Sequence, residues 1–300
     1  MCEKIISPIT LTNKVIKIET FGVKQIVESY SKINIDVSNY FKDLKVISLY
    51  ECIKTGYRFY YPFSTIGDAD FYADLSKNRP NYYSDRWEHK KALTYIKATD
   101  FVLEIGSGFG SFLQLLTNNS IQAKGLELNP HAVSRCLEEM LNVENKLIQE
   151  EANENPESYD VVCCYQVLEH ISDPSSFIHS SIQSLKIGGK LIIGVPNNNP
   201  YLFVNDKYHT LNLPPHHAGL WNKKAMKSIE KVFSLKQESI EFEPLEVSYS
   251  YFIDFQIRNS NNYFIKKGLV FLNKLMPRVL KKVICKLING RNMLVVYRKI

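Results

Sequence analysis

The run Phe101-Val102-Leu103-Glu104-Ile105, followed at once by Gly106-Ser107-Gly108-Phe109-Gly110, constrains this chain more than any other segment. Five mainly apolar residues that stop on alternating glycines read as a buried strand entering a tight turn. Glycine suits a turn where the backbone takes positive φ or lies close against a ligand. The helix predicted from Ser111 to Thr117 would present its free N–H groups just behind that turn. Strand, glycine turn and helix open a βαβ unit, which commits a chain to a parallel sheet covered by helices. A dinucleotide fingerprint would want Gly or Ala at Ser111, so the turn departs from that pattern.

The downstream sequence keeps the alternation. Ala123 to Leu128 reads as a second strand, and Asn129-Pro130 starts a helix through Leu141. Lys146 to Gln149 reads as a third strand and Tyr159 to Tyr165 as a fourth. The segment Ser175 to Leu185 reads as a helix, and Gly188-Gly189 turns into a strand from Lys190 to Val195. Two further strands are expected at Leu235 to Phe242 and Met293 to Arg298. Glu127 closes the second strand, where a carboxylate can accept two hydrogen bonds from a ribose diol; a solvated strand-end acid is the plain alternative.

Residues 1–89 stand apart as an N-terminal cap region. They are rich in aromatics, with short β-like runs at Val46 to Leu49 and Tyr57 to Tyr61, and Pro62 opens an irregular loop through Asp68, Asp70 and Asp74. Trp87 to Ile96 reads as a helix, since Trp87, Lys91 and Tyr95 recur about once per turn. Cys52-Ile53-Lys54-Thr55-Gly56 is similar to a zinc-ribbon knuckle in which Thr55 replaces the second cysteine. With no upstream pair to complete four ligands, no metal is expected there. The six cysteines lack disulfide-like spacing, which points to a reducing compartment. No signal-peptide run and no apolar stretch near 20 residues is present, so a cytoplasmic location is expected.

The net charge of +6 is unevenly placed: no acidic residue follows Asp254, whereas eleven Lys and Arg do. Eight of them fall in a helical insertion, at about 247–290, before the last strand. Pro277 suits a helix start, and Val279, Leu280, Val283, Ile284, Leu287 and Ile288 form an apolar stripe. Arg278, Lys281, Lys282 and Lys286 lie off it, making a basic amphipathic helix. Two uses fit: a lid packed on the sheet, or a peripheral contact of residues 264–289 with anionic lipid at the inner membrane face. No nucleic-acid partner is expected, because no second basic module accompanies the helix.

Four segments follow one another in a recognisable order: Val102 to Gly110, Gly125 to Asn129, Tyr159 to Val162 with Gln166-Val167-Leu168-Glu169-His170, and Leu185 to Pro196. Together they resemble the class I S-adenosylmethionine-dependent methyltransferases over roughly residues 90–300. The branch most similar is that of quinone-biosynthesis O-methyltransferases and bacterial surface-glycan-cluster methyltransferases. Pro214-Pro215-His216-His217 followed by Trp221 resembles a segment of the glycan-associated enzymes. The resemblance implies an α/β fold, a Rossmann-like sheet that is mostly parallel with an antiparallel last strand. It also implies S-adenosylmethionine as cofactor. Glu104 would face the methionine amino group, with Gly106, Gly108 and Gly110 giving backbone room. Glu127 would hold the ribose hydroxyls and Leu128 would pack on the adenine, whose edge Glu151 and Ala152 would meet. Gln166 and Val167 would line the methionine side.

Methyl transfer to a hydroxyl also needs alignment and a proton acceptor, for which a neutral histidine is suited. His170, His216 and His217 are the candidates. In the quinone-methylating relatives an acid and a histidine equivalent to Glu169 and His170 are linked to a divalent metal, so catalytic, metal and structural roles stay open for that pair. His216 and His217 follow two prolines that stiffen their loop. The expected reaction is O-methylation of a small acceptor, a sugar or glycan intermediate. The alternatives are a quinone-like, lipid-soluble phenol and, from another class, a binding protein that keeps the cofactor fold without turnover.

Overall fold

The computed structural model describes residues 4–78, 86–198, 207–260 and 262–300. The N-terminal part runs β1 (Val15–Gly22), α1 (Val23–Ser31), β2 (Val46–Cys52), β3 (Arg58–Tyr61), α2 (Ala69–Asn78) and α3 (Trp87–Leu93). The first three strands pair antiparallel, Gly22 opposite Val46 and Leu49 opposite Tyr60. One face buries Phe21, Ile47, Leu49 and Tyr60 against Ile26 and Tyr30 of α1, a core separate from that of the main sheet. The turn after Cys52 is closed by hydrogen bonds: Gly56 N–H to the Cys52 carbonyl at 2.7 Å, and Tyr57 N–H to the Thr55 hydroxyl at 3.2 Å.

The segment after Pro62, read from sequence as an irregular loop through Asp74, instead forms α2. The Asp68 carboxylate accepts the Phe71 N–H at 3.1 Å, as a helix N-cap does. Phe71 and Leu75, one turn apart, are both buried. Three aspartates hid that apolar pair.

The main part continues β4 (Phe101–Ile105), α4 (Ser111–Asn118), β5 (Gln122–Leu126), α5 (Pro130–Glu138), β6 (Val143–Glu144), α6 (Ile148–Glu154), β7 (Tyr159–Tyr165), α7 (Pro174–Ser184) and β8 (Leu185–Pro196). Then come β9 (Gly219–Leu220), α8 (Lys223–Ser228), β10 (Leu235–Pro244), α9 (Tyr249–Asn259), α10 (Tyr263–Leu275), α11 (Pro277–Leu287) and β11 (Asn289–Lys299). Seven strands form one sheet in the order β10-β11-β8-β7-β4-β5-β6. Strands β6, β5, β4, β7 and β8 are parallel, and β11 runs antiparallel to both β8 and β10. Strand order reverses at β4, between β5 and β7, which opens a crevice at their carboxyl ends. This is the Rossmann-like sheet the sequence implied.

The third strand is a correction. Lys146 to Gln149 was expected to be extended, yet the pairing strand is Val143–Glu144 and α6 already begins at Ile148. The Glu150 carboxylate accepts the Leu147 N–H at 2.8 Å and pulls the chain into a helix there.

Cap and sheet are interlocked. Strand β9, from the main part, adds to β3 as the fourth strand of the N-terminal sheet, pairing Gly219 with Phe59. A Cβ on Gly219 would lie 1.8 Å from the Tyr57 hydroxyl, so only glycine fits this crossing. Trp221 next to it is fully buried, its ring centroid 4.3 Å from that of Tyr57. Trp221→Ala should therefore cost about 3–5 kcal/mol, the range for truncating a buried aromatic; the shift of the urea midpoint at constant m-value measures it.

Candidate functional site

A cavity of about 680 Å³ opens at the carboxyl ends of β4, β5 and β7, where strand order reverses. Its floor is the glycine turn. Gly106, Gly108 and Gly110 have φ of 74°, 54° and 77°, the left-handed region that favours glycine. A Cβ at Gly106 would stand 2.5 Å from a Val167 methyl, and one at Gly110 would stand 2.4 Å from a Leu141 methyl. These two glycines answer to the packing beneath the turn as well as to its dihedrals.

Glu104 lines the cavity from the last turnward positions of β4. It is only 3% exposed, and its Oε2 has no hydrogen-bond partner. Burial pushes its carboxyl well above the usual range, and the charge of Glu127 adds to the effect. Glu127 is half-buried and already bridged: Oε2 accepts the Gly108 N–H at 2.7 Å and Oε1 the Asn129 N–H at 2.8 Å. Leu128 beside it stays 57% exposed on the cavity wall.

Glu151 and Ala152 are placed elsewhere than at the cavity surface. Because α6 starts early, Ile148 and Gln149 face the cavity, and Glu151 and Ala152 are fully buried behind them. Burial raises the Glu151 carboxyl, but hydrogen bonds from Tyr159, Lys124 and Lys146 outweigh it and hold the group at about 2. The Lys124 and Lys146 Nζ atoms stand 3.0 and 3.1 Å away. Glu151 thus ties β5, α6 and β7 together.

Gln166 and Val167 line the cavity just past β7. Gln166 takes a φ of 56°, donates its backbone N–H to Gly194 at 2.8 Å, and donates its side-chain amide to Glu88 at 2.8 Å. Glu88 is fully buried on α3, and burial raises its carboxyl. The same short helix and the residue before it bring Arg86 and His89 to the cavity. His89 is held to about 4 by burial between Phe112 and Tyr165. The sequence showed the helix but carried no signal that its first turn faces a ligand site.

Asp68, Asp70, Tyr72 and His170 also line the cavity. The three candidate histidines do come together, with ring centroids 4.6–4.9 Å apart. Only His170 is among the cavity-lining residues, whereas His216 and His217 are 3% and 2% exposed. His170 Nδ1–H donates to the His216 carbonyl at 2.6 Å, which leaves Nε2 with its lone pair. Burial lowers the His170 imidazole to about 4, so it is neutral at pH 7. Glu169 behind it is 1% exposed, and neither carboxylate oxygen has a hydrogen-bond partner. Burial pushes it up to about 8, and its Oε1 lies 3.7 Å from His170 Nε2.

The ligand atoms of the three histidines spread up to 4.8 Å, against roughly 3.3 Å for two nitrogens on one tetrahedral zinc. An all-nitrogen set of this kind would suit zinc rather than magnesium, and the rings would have to close in to bind it. As it stands, the three rings lie against one another, with His170 held in its neutral form by burial and Glu169 pushed up behind it.

The methyltransferase-domain family matches residues 76–236. A ubiquinone biosynthesis O-methyltransferase of Pseudomonas fluorescens is 31% identical over 186 residues, 55% of this chain and 76% of the relative. One from Pseudomonas savastanoi is 33% identical over 155 residues, 45% of this chain and 67% of that one. Among solved structures, a SAM-dependent methyltransferase from Archaeoglobus fulgidus superimposes with a TM-score of 0.53 at 18% identity, over 77% of this chain and all of the other. That likeness concerns the fold.

The raised Glu169 has a consequence for stability. Its protonated form is favoured by the fold, so its contribution is fully present below the ordinary carboxyl range near 4.5 and is lost as pH rises through about 8. Glu169→Gln, which mimics the protonated acid, should match the parent protein's Tm near pH 5 and exceed it at pH 8.5. Melting curves across that range provide the check, and parallel curves would contradict the assignment.

Proposed function

The chain belongs to the methyltransferase-domain family of S-adenosylmethionine-dependent enzymes, and from that premise we propose that it methylates a hydroxyl of a small, polar, hydroxyl-rich acceptor such as a sugar or glycan intermediate. The observation that carries this reading is the neutral His170 lining the same cavity as the glycine turn. Bound S-adenosylmethionine supplies an electrophilic methyl on its sulfonium. What is left to the protein is binding, alignment and removal of one proton.

The cofactor residues fit their parts. Glu104 offers an unpartnered buried oxygen, suited to the methionine ammonium. Glu127 retains lone pairs beyond its two backbone bonds, which a ribose diol can use. Gln149 is the polar side chain of α6 in the cavity wall and suits the adenine edge, the place first assigned to Glu151 and Ala152. His170 Nε2 would accept the acceptor's hydroxyl proton, and the bound sulfonium would supply the methyl group, its carbon–sulfur bond breaking to leave a neutral thioether. The His216 carbonyl holds the ring in the required tautomer, and it also accepts the Tyr72 hydroxyl at 3.2 Å. His216 is thereby a positioning residue, and His217 packs its ring beside that of His170 with centroids 4.9 Å apart.

Asp68 and Asp70 in the cavity lining favour an acceptor with several hydroxyls, which can satisfy those carboxylates. The second reading is a quinone-like phenol, favoured by the ubiquinone relatives. Label from S-adenosylmethionine carrying a tritiated methyl should enter free or nucleotide-linked sugars. Transfer confined to catechol-type phenols would establish the second reading instead. On the active acceptor, His170→Gln should lower kcat by about 10²–10⁴-fold with cofactor affinity unchanged; an unaltered kcat removes His170 from the reaction.

Glu104 makes a pH-dependent prediction. Its raised carboxyl must ionise to pair with an ammonium, so binding should release a proton and tighten as pH rises through that raised value. Glu104→Gln should weaken binding by about 1.5–3 kcal/mol and flatten its pH dependence. Calorimetry in buffers of different ionisation enthalpy measures both effects.

A further inference from the structure

The insertion between β10 and β11 is a helical unit, and its last two helices, α10 and α11, bury no residue against the rest of the described chain. The apolar stripe of α11 splits in two. Leu280, Ile284 and Ile288 turn inward, with Leu269 of α10, onto a small cluster of Leu245, Tyr249, Phe252 and Ile253. Val279, Val283 and Leu287, on the neighbouring line of the helix, face outward, Leu287 being 79% exposed. On α10 the aromatic rings of Phe264 and Phe271 are 83% and 62% exposed, beside Tyr263 and Leu275.

These side chains are interleaved with charge of one sign. Seven Lys and Arg fall between 263 and 287, and no acid occurs anywhere after Asp254. All seven are exposed, and among the described residues none of them forms an ion pair. Lys282 and Lys286 stand three residues beyond Val279 and Val283, so cation and apolar group are neighbours on one surface. Among the described residues, no helix is long and apolar enough to cross a membrane. Helices of 13 and 11 residues suit lying in the plane of an interface instead.

We infer that α10 and α11 form a docking surface for an anionic lipid membrane, with their outward apolar residues entering the headgroup boundary and the lysines and arginines meeting the lipid charge. The surface combines what each alternative occupant lacks reason for. An acidic protein would use the cations without needing an aromatic face, and a second copy would set seven like charges against seven. The unit is rooted at the cavity's edge of the sheet. The Arg291 N–H at its base donates to the Glu243 carboxylate at 3.0 Å, and Asn292 lies opposite Pro196, the end of β8. Asn292 Oδ1 is 3.5 Å from the amide of Gln166, which lines the cavity. A docked molecule would carry its acceptor site next to the lipid surface. This inference is independent of the acceptor's identity.

Flotation of the purified full-length protein with vesicles tests it without any assay of activity. The protein should float with phosphatidylcholine vesicles containing phosphatidylglycerol, stay behind with phosphatidylcholine alone, and come off progressively with salt. Lys282→Ala with Lys286→Ala should weaken partitioning roughly thirtyfold, taking about fivefold per cation near the surface. Phe264→Asp with Leu287→Asp, at two of the most exposed positions, should abolish flotation while leaving S-adenosylmethionine binding and the melting curve unchanged. Failure of the parent protein to float on anionic vesicles overturns the inference, as does undiminished flotation of either double variant. A concentration-dependent dimer dissolved by Phe264→Asp with Leu287→Asp, in a protein that does not float, would assign the surface to a second copy instead.

Discussion

The two hydrogen bonds accepted by the Glu127 carboxylate are the constraint on which the site depends. One reaches the Gly108 N–H in the turn after β4 and the other the Asn129 N–H at the start of α5. They clip together the two loops that leave the sheet where its strand order reverses. The glycines let the first loop curl back, and Val167 and Leu141 fill the space their missing side chains leave. Three successive crossovers are thus fixed against one another by one acid and a few methyl contacts. The cavity follows from that closure, because its floor and one wall are the loops themselves.

Inside, the site gains its electrostatic character from burial more than from ion pairing. Glu88, Glu104 and Glu169 are all raised, and His89 and His170 are lowered to about 4. Burial moves each of these groups toward its uncharged form, desolvation exceeding any attraction between neighbours. Glu151 is the contrast: three donors hold it ionised, and it has a structural role outside the cavity. For the buried Glu104, a cation brought beside it would favour the ionised form that burial disfavours. A cationic cofactor brings the charge that makes such a site polar.

Much of the sheet was legible because its signals are local. The strand at Phe101–Ile105, the glycine turn, the Asn-Pro helix start and the strand at Tyr159–Tyr165 each depend on a few adjacent residues. The strand expected at Lys146 to Gln149 failed because a side-chain cap from Glu150 overrode an alternating pattern. That shift also turned Glu151 and Ala152 inward and put Gln149 at the surface of the cavity. Arg86 and His89 were not singled out as site residues. They reach the cavity through tertiary packing of the cap and α3, for which no short motif exists. The histidines were recognised as candidates, but which of them faces the cavity is a matter of burial, and burial is decided by the cap.

The cap, in turn, acts through the segment from Thr210 to Trp221. The buried Tyr30 hydroxyl of α1 reaches the Thr210 and Leu213 carbonyls, both at 2.9 Å, and fixes the approach to the paired prolines. The Pro215 carbonyl then accepts the Gly67 N–H at 2.9 Å, and the His216 carbonyl accepts His170 Nδ1–H. Ala218 N–H donates to the Glu169 carbonyl at 2.8 Å, and its own carbonyl accepts the Tyr60 N–H at 3.0 Å as the chain enters β9. A dozen residues therefore touch both cores and both sides of the Glu169-His170 pair. Since Nδ1 of His170 is tied to that backbone, the orientation of its ring depends on the cap being folded and docked. The contacts that seat the N-terminal sheet are thus the same ones that fix the His170 ring beside Glu169.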